Sequence, residues 1–289
     1  MKKALWQYLV KPAIFLYLLM QFFKLLFLLK NWEQVHPESW SEIFRVFTGS
    51  IFLDIAILSY LLLLPVFFFY LYAFSGKLEK LKTLLLLYFS LISLFYISLS
   101  YIDIELFSNW GSRISAKALS FLNTPSYAFF SAGKYRVFLL FFALITSGYL
   151  SYLFFKLAIQ STKLAEIDKK VLGIWGILSL SLLVLGLRGG IRVIPINQSE
   201  AYFSNNPVLN VAGVNSLWNF GNVVFQNSKA LKENPYKSME EEMAEEIFQE
   251  IYFTEKDTSI SILKNSQANI IYVALEGVNA NCIKDYNAN

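Results

Sequence analysis

Residues 47–72 run FTGSIFLDIAILSYLLLLPVFFFYLY, and Asp54 is the only charged residue among them. About 20 apolar residues in a helix cross the hydrocarbon core of a bilayer, so this stretch is long enough to span one. Four further segments have the same character, at 12–29, 81–101, 137–158 and 171–187. The whole chain is 56% hydrophobic and 17% aromatic, and its mean hydropathy is +0.47, too apolar for an ordinary soluble domain. The apolar excess ends near Leu187, beyond which Asn, Glu, Lys and Ser dominate. Two regions in two solvents are implied. The opening MKKALWQYLVK resembles the charged start of a signal peptide. No small-residue cleavage site follows it and four more spans do, so it is expected to stay as part of the first helix.

A pI of about 8.9 suggests a polyanion partner, but much of the Lys and Arg lies in short loops between apolar segments. Membrane topology explains that placement, and the expected partner is a lipid bilayer, not nucleic acid. Ten basic residues fall on one side: Lys2, Lys3 and Lys11, then Lys77, Lys80 and Lys82, then Lys156, Lys163, Lys169 and Lys170. Six fall on the other: Lys30, Arg45, Arg113, Lys117, Lys134 and Arg136. Basic loops stay cytoplasmic, so the N-terminus is expected inside and everything after the fifth span outside. Arg188 and Arg192, just past that span, oppose this orientation. Cys282 is the only cysteine, which excludes a disulfide framework and a cysteine-based zinc site.

The first outer loop, NWEQVHPESWSE (31–42), and the third, 102–135, are rich in Trp, Tyr and Phe, whose rings favour the headgroup zone. Residues 114–122 are expected to form a short interfacial helix. After the spans, Gly189, Gly190, Pro195, Pro207 and frequent Asn predict turns and irregular chain. Next, SMEEEMAEEIFQEIYF (238–253) sets Met239, Met243, Ile247 and Ile251 four residues apart, with glutamates over the remaining surface. That spacing predicts one amphipathic helix with an acidic outer face. Then NIIYVAL (269–275), a continuous apolar run rich in β-branched residues, fits a strand buried on both faces. Glu276 stands at its carboxyl end, where ligands bind in open α/β sheets. It is either a solvated loop residue or a ligand for a hard metal.

Charges inside spans are functional candidates by default, which singles out Lys24 and Asp54 for a transport role. Against that, Lys24 can snorkel and Asp54 can sit at the interface. Asp103, Glu105 and Arg113 lie at the outer face, where Arg113 is a candidate contact for a lipid headgroup or a plain interfacial anchor. His36 is alone in a loop, without the acidic spacing that a metal site needs.

Three stretches carry a family resemblance: DIELFSNWGSRISAKALSFLNTP (103–125), RGGIRVIPINQSEAYFSNNPVLNVAGVNSLWN (188–219) and ALEG (274–277). Together with the order of five spans, linker and strand, they resemble the lipoteichoic acid synthase family. Its members are membrane-anchored enzymes of the sulfatase and alkaline-phosphatase superfamily. The resemblance implies a five-helix transmembrane domain (1–188), an extracytoplasmic linker with the acidic helix (189–265) and the start of a truncated sulfatase-like α/β domain (266–289). It implies a bacterial-type plasma membrane, a lipid-linked substrate and a phosphotransferase or sulfatase acting on phosphate or sulfate esters outside the cell. It also implies a divalent metal, commonly manganese, with Glu276 as one ligand. The family's Ser or Thr nucleophile and its Asp and His ligands would lie further along, so no catalytic residue is assigned in this chain; Thr254 and Thr258 precede the strand and do not match. A non-catalytic membrane scaffold or lipid-binding paralogue is the alternative, and a transporter a weaker one.

The orientation is checked by fusing a reporter active only in the cytoplasm after Asn289, and by labelling Cys282 in intact cells with an impermeant thiol reagent. Silence of the reporter with labelling of the thiol is expected; strong reporter activity contradicts an outside C-terminus.

Overall fold

The computed structural model describes residues 2–75, 78–121, 134–159, 169–191, 193–227 and 238–253, together with Ile271 and Val273. Among them, helices dominate and no β-strand occurs. Five helices are long and apolar enough to cross a membrane: Lys3–Lys30, Trp40–Phe74, Lys80–Trp110, Tyr135–Ala158 and Lys169–Arg188. The expected spans therefore all appear, most of them a turn or more longer than the apolar cores that reveal them.

The chain begins with α1 (Lys2–Leu5), a π-helical turn (Trp6–Val10) and α2 (Lys11–Lys30). Pro12 explains the π turn: a proline offers no N–H and crowds the carbonyl four residues back. The Lys11 N–H reaches the Trp6 carbonyl instead, one residue further than usual. A short α3 (Trp32–Val35) leads to α4 (Trp40–Thr48), whose first turn is capped by the Ser39 hydroxyl accepting from the Glu42 N–H. The helix breaks at Gly49–Ser50, and α5 (Ile51–Phe74) and α6 (Leu78–Trp110) follow. Pro65 sits inside α5 and deprives the Leu61 carbonyl of its helical donor. The Tyr88 hydroxyl on α6 donates to that carbonyl at 2.7 Å, satisfying it where lipid offers nothing.

Next come α7 (Ala116–Ser120), α8 (Lys134–Ala158) and α9 (Lys169–Arg188). Helices α2, α5 and α6 pack on one another, α8 flanks α6 and α9 flanks α5. The α9 contact is close because Gly186 has no side chain: a Cβ there would fall 2.0 Å from Ser59 Oγ. Tyr70 and Ser179 add a hydroxyl pair at 2.9 Å. On the other flank, Phe15 stacks on Phe154 at 4.2 Å, and Phe155 stacks on Phe89 at 5.5 Å. Outward-facing Phe67, Phe138, Ile177 and Leu182 are exposed, as side chains facing lipid must be.

The segment after α9 is more regular than its Gly, Pro and Asn content predicts. A 3-10 turn (Gln198–Ala201), α10 (Pro207–Gly213) and α11 (Ser216–Asn227) form there. The turn residues begin helices instead of interrupting them. The Asn206 side chain accepts from the Val208 N–H with Pro207 behind it at the first helical position, and the Asn215 side chain accepts from the Leu217 N–H. Helix α10 packs on α2, α3 and α4, and α11 on α5, α6 and α7, so residues 196–227 cap one end of the bundle. This cap belongs with the spans in one compact unit, Met1–Asn234.

The second unit, Pro235–Asn289, contains the expected acidic helix as α12 (Glu241–Tyr252). The boundary between units thus falls inside the linker (189–265) inferred from sequence. Of the expected strand, 269–275, only Ile271 and Val273 are described; they carry no strand assignment and are 88% and 69% exposed. The strand is unsupported, and the rest of it lies outside the described residues with Glu276, Thr254, Thr258 and Cys282.

Candidate functional site

Beneath the cap lie four of the five charged side chains that the sequence singles out in and beside the spans, in two ion pairs; the fifth, Glu105, pairs with Lys30 at 3.0 Å. Lys24 on α2 meets Asp54 on α5; they are 4% and 0% exposed. Of the alternatives that the sequence left open, neither snorkelling of Lys24 nor an interfacial Asp54 occurs. Lys24 does not snorkel, because Asp54 and the Ser50 hydroxyl, 2.6 Å from its Nζ, hold it inside. Asp54 does not face the interface, because the cap covers it: Asn215 Nδ2 donates to its Oδ1 at 3.2 Å, and Gln21 Nε2 to its Oδ2 at 2.9 Å. A buried carboxylate demands such partners, since its desolvation is otherwise uncompensated.

The second pair joins Asp103, near the end of α6, to Arg113 in the turn that follows. Gly111, at a φ of +67°, supplies the left-handed residue that folds this turn back on the helix. Asp103 is 0% exposed; Arg113 Nε donates to its Oδ2 at 2.6 Å, and the Ile114 N–H to its Oδ1 at 2.9 Å. The remaining Arg113 donors reach the cap. Nη1 donates to the carbonyls of Val211 (3.0 Å) and Val214, at the end of α10, and Nη2 to Ser216 Oγ at 3.0 Å as well as to Asp103. All five guanidinium N–H groups are therefore engaged. A cation also suits the carbonyls that a helix C-terminus leaves unpaired. For Arg113 to bind a lipid headgroup, one of these bonds would have to give way.

Lys24, Arg113, Asn215 and Ser216 line a cavity of about 10 Å³ with Phe23, Phe27, Tyr96 and Ile104. That is room for one water molecule and for no larger ligand. The Ser50 and Lys24 contact has the members of a Ser–Lys nucleophilic pair, but its geometry opposes that use. The Ser50 hydroxyl donates to the Val46 carbonyl at 2.6 Å, Lys24 is matched by Asp54, and Ser50 is fully buried. His36 lies beside Trp32, its Nδ1 3.2 Å from the Trp32 carbonyl oxygen. No three His, Cys, Asp or Glu side chains converge to hold a metal among the described residues.

Asn215, Ser50, Gln21 and Ser216 are partners that sequence reasoning missed. Their signal is faint: Ser50 stands four residues before Asp54, one helical turn away, and Asn215 is one asparagine among many. No family model, curated protein or solved structure matches the chain.

Removing one member of a buried pair strands its partner, at about 3–5 kcal/mol, whereas replacing both by apolar residues of similar size is near neutral. Lys24→Met is therefore expected to destabilise the bundle by that amount, and Lys24→Met with Asp54→Leu to recover most of the loss. Denaturant unfolding in mixed micelles measures both; equal losses in the single and double variants would contradict the pairing.

Proposed function

We propose that this chain is the membrane and linker portion of a lipoteichoic acid synthase-like phosphotransferase or sulfatase, acting on phosphate or sulfate esters outside the cell. One observation carries the reading. Two of the three stretches that carry the resemblance, 103–125 and 188–219, are joined by the Arg113 network, with Asn219 Nδ2 adding a bond to the Ile114 carbonyl at 3.0 Å. Segments that lie far apart in sequence and meet through buried charge suit an anchor that must hold an attached domain in one attitude to the membrane. In this reading the N-terminus is cytoplasmic and the capped end extracytoplasmic, facing a lipid-linked substrate. A divalent metal, commonly manganese in such enzymes, would take Glu276 as one ligand, and no step of the reaction is assigned to the described residues.

A non-catalytic scaffold is the second reading, favoured by the burial of both ion pairs and by the small cavity beside Lys24 and Arg113, which has room for one water molecule. One measurement tests the inactivity that both readings predict, and a second separates them. The 289-residue chain, reconstituted in vesicles with manganese and a generic phosphate or sulfate ester, is expected to cleave neither. Sequencing the native transcript beyond the Asn289 codon is expected to find a Ser or Thr nucleophile and Asp and His ligands in frame or after one shift, and the joined product to turn over esters in a Glu276-dependent way. Metal-dependent turnover by the 289 residues alone, lost in Glu276→Ala, would overturn the division of labour; a transcript without those residues would favour the scaffold.

A further inference from the structure

Helix α4 precedes its neighbour α5 so closely that Trp40–Phe74 reads as one apolar span of 35 residues. At 1.5 Å per residue that is about 52 Å, far more than the roughly 30 Å of a hydrocarbon core. The break at Gly49–Ser50 divides the excess from the span. Both ends of α4 are then tied to the ends of spans. Its first residue, Trp40, has its ring 6.0 Å from that of Trp32, two residues past the end of α2, and its last turn runs into Ile51 at the start of α5. At the end of α2, Lys30 pairs with Glu105 at 3.0 Å and is half exposed, which marks the level where the bundle meets water.

Three faces of α4 meet three different surroundings. Ile43 and Val46 are buried against the bundle. Toward the cap, the Arg45 guanidinium lies 5.0 Å from the Phe203 ring centroid, and α10 packs on the helix. Just before α4, Asn206 Nδ2 donates to the Gln34 carbonyl and to Glu38 at 2.9 and 3.0 Å. The third face presents Trp40 and Phe44, 76% and 64% exposed. Leu29 on the last turn of α2 and Ile51 on the first turn of α5, the span ends on either side of α3 and α4 in the chain, are exposed as well.

We infer that α4 is an in-plane membrane anchor: its Trp40 and Phe44 face rests in the interface of the bilayer while its opposite side carries the cap. A short helix with one strongly apolar face and a Trp at its margin has the composition for that position. The occupant is lipid, because α4 is tied to the ends of two spans, at Trp32 and at Ile51, and the exposed apolar residues of those ends face lipid in a membrane-spanning bundle. The cap then docks on a helix that itself lies on the membrane, which links the attitude of residues 196–227 to the bilayer surface.

The full chain is reconstituted into phosphatidylcholine and phosphatidylglycerol vesicles whose acyl chains are brominated near the headgroup or near the methyl end. Tryptophan fluorescence is compared with that of Trp40→Phe, a change at an exposed site. Of the signal from six tryptophans, the part lost with Trp40 should be quenched by the shallow bromines, less by the deep ones, and little by aqueous iodide. A spin label at Phe44→Cys, in a Cys282→Ala background, should show oxygen accessibility above that to a water-soluble nickel chelate. Quenching of the Trp40 part by iodide alone, by the deep bromines most strongly, or by neither quencher would overturn the proposal. So would a Phe44 label more accessible to nickel.

Discussion

Lys24 and Asp54 are two charges in a place where neither is stable alone. Each lies in a segment otherwise built for hydrocarbon, and an uncompensated charge there costs several kcal/mol. The attraction between them offsets part of that cost, and the remaining oxygens of Asp54 must find donors. Gln21 supplies one from the same helix as Lys24, and Asn215 supplies the other from outside the spans. Satisfying a charge in the bundle thereby recruits the linker. The same logic repeats at Asp103, whose partner Arg113 spends its surplus donors on the carbonyls at the end of α10.

The cap is thus held through polar groups that have nowhere else to go. Its own apolar contribution is local: Leu209 and Ala212 pack into the core below, while Ala201 and Val214 join Leu53 in a small separate cluster. Hydrogen bonds to charged groups exceed neutral ones in strength and are directional, so they set the position of the cap as well as its affinity. The asparagines that crowd this segment act as connectors. Asn206 starts α10 and reaches the loop before α4, and Asn215 starts α11 and reaches Asp54.

The spans were legible because hydropathy follows directly from the bilayer as solvent, and the break at Gly49–Ser50 was the main feature that it hid. The acidic helix was legible from its four-residue spacing. The cap was not, since Gly, Pro and Asn mark turns and helix starts alike, and only the direction of the Asn206 and Asn215 side chains separates the two. For the site, Lys24, Asp54, Asp103 and Arg113 stood out as charges near apolar segments. Their pairing did not, because partners 30 and 10 residues apart carry no local signature. Glu276 was legible only through its place after an apolar run and through resemblance, and the described residues do not reach it.

Buried charge as the latch between bundle and linker is tested most directly by amide hydrogen exchange on the full chain in lipid nanodiscs, comparing wild type with Arg113→Ala and Asp54→Asn. The latch predicts faster exchange across 207–219 in both variants, with protection in α5, α6 and α9 retained at least in Arg113→Ala. Wild-type protection of 207–219 in both variants would contradict it, for the cap would then be held by packing alone.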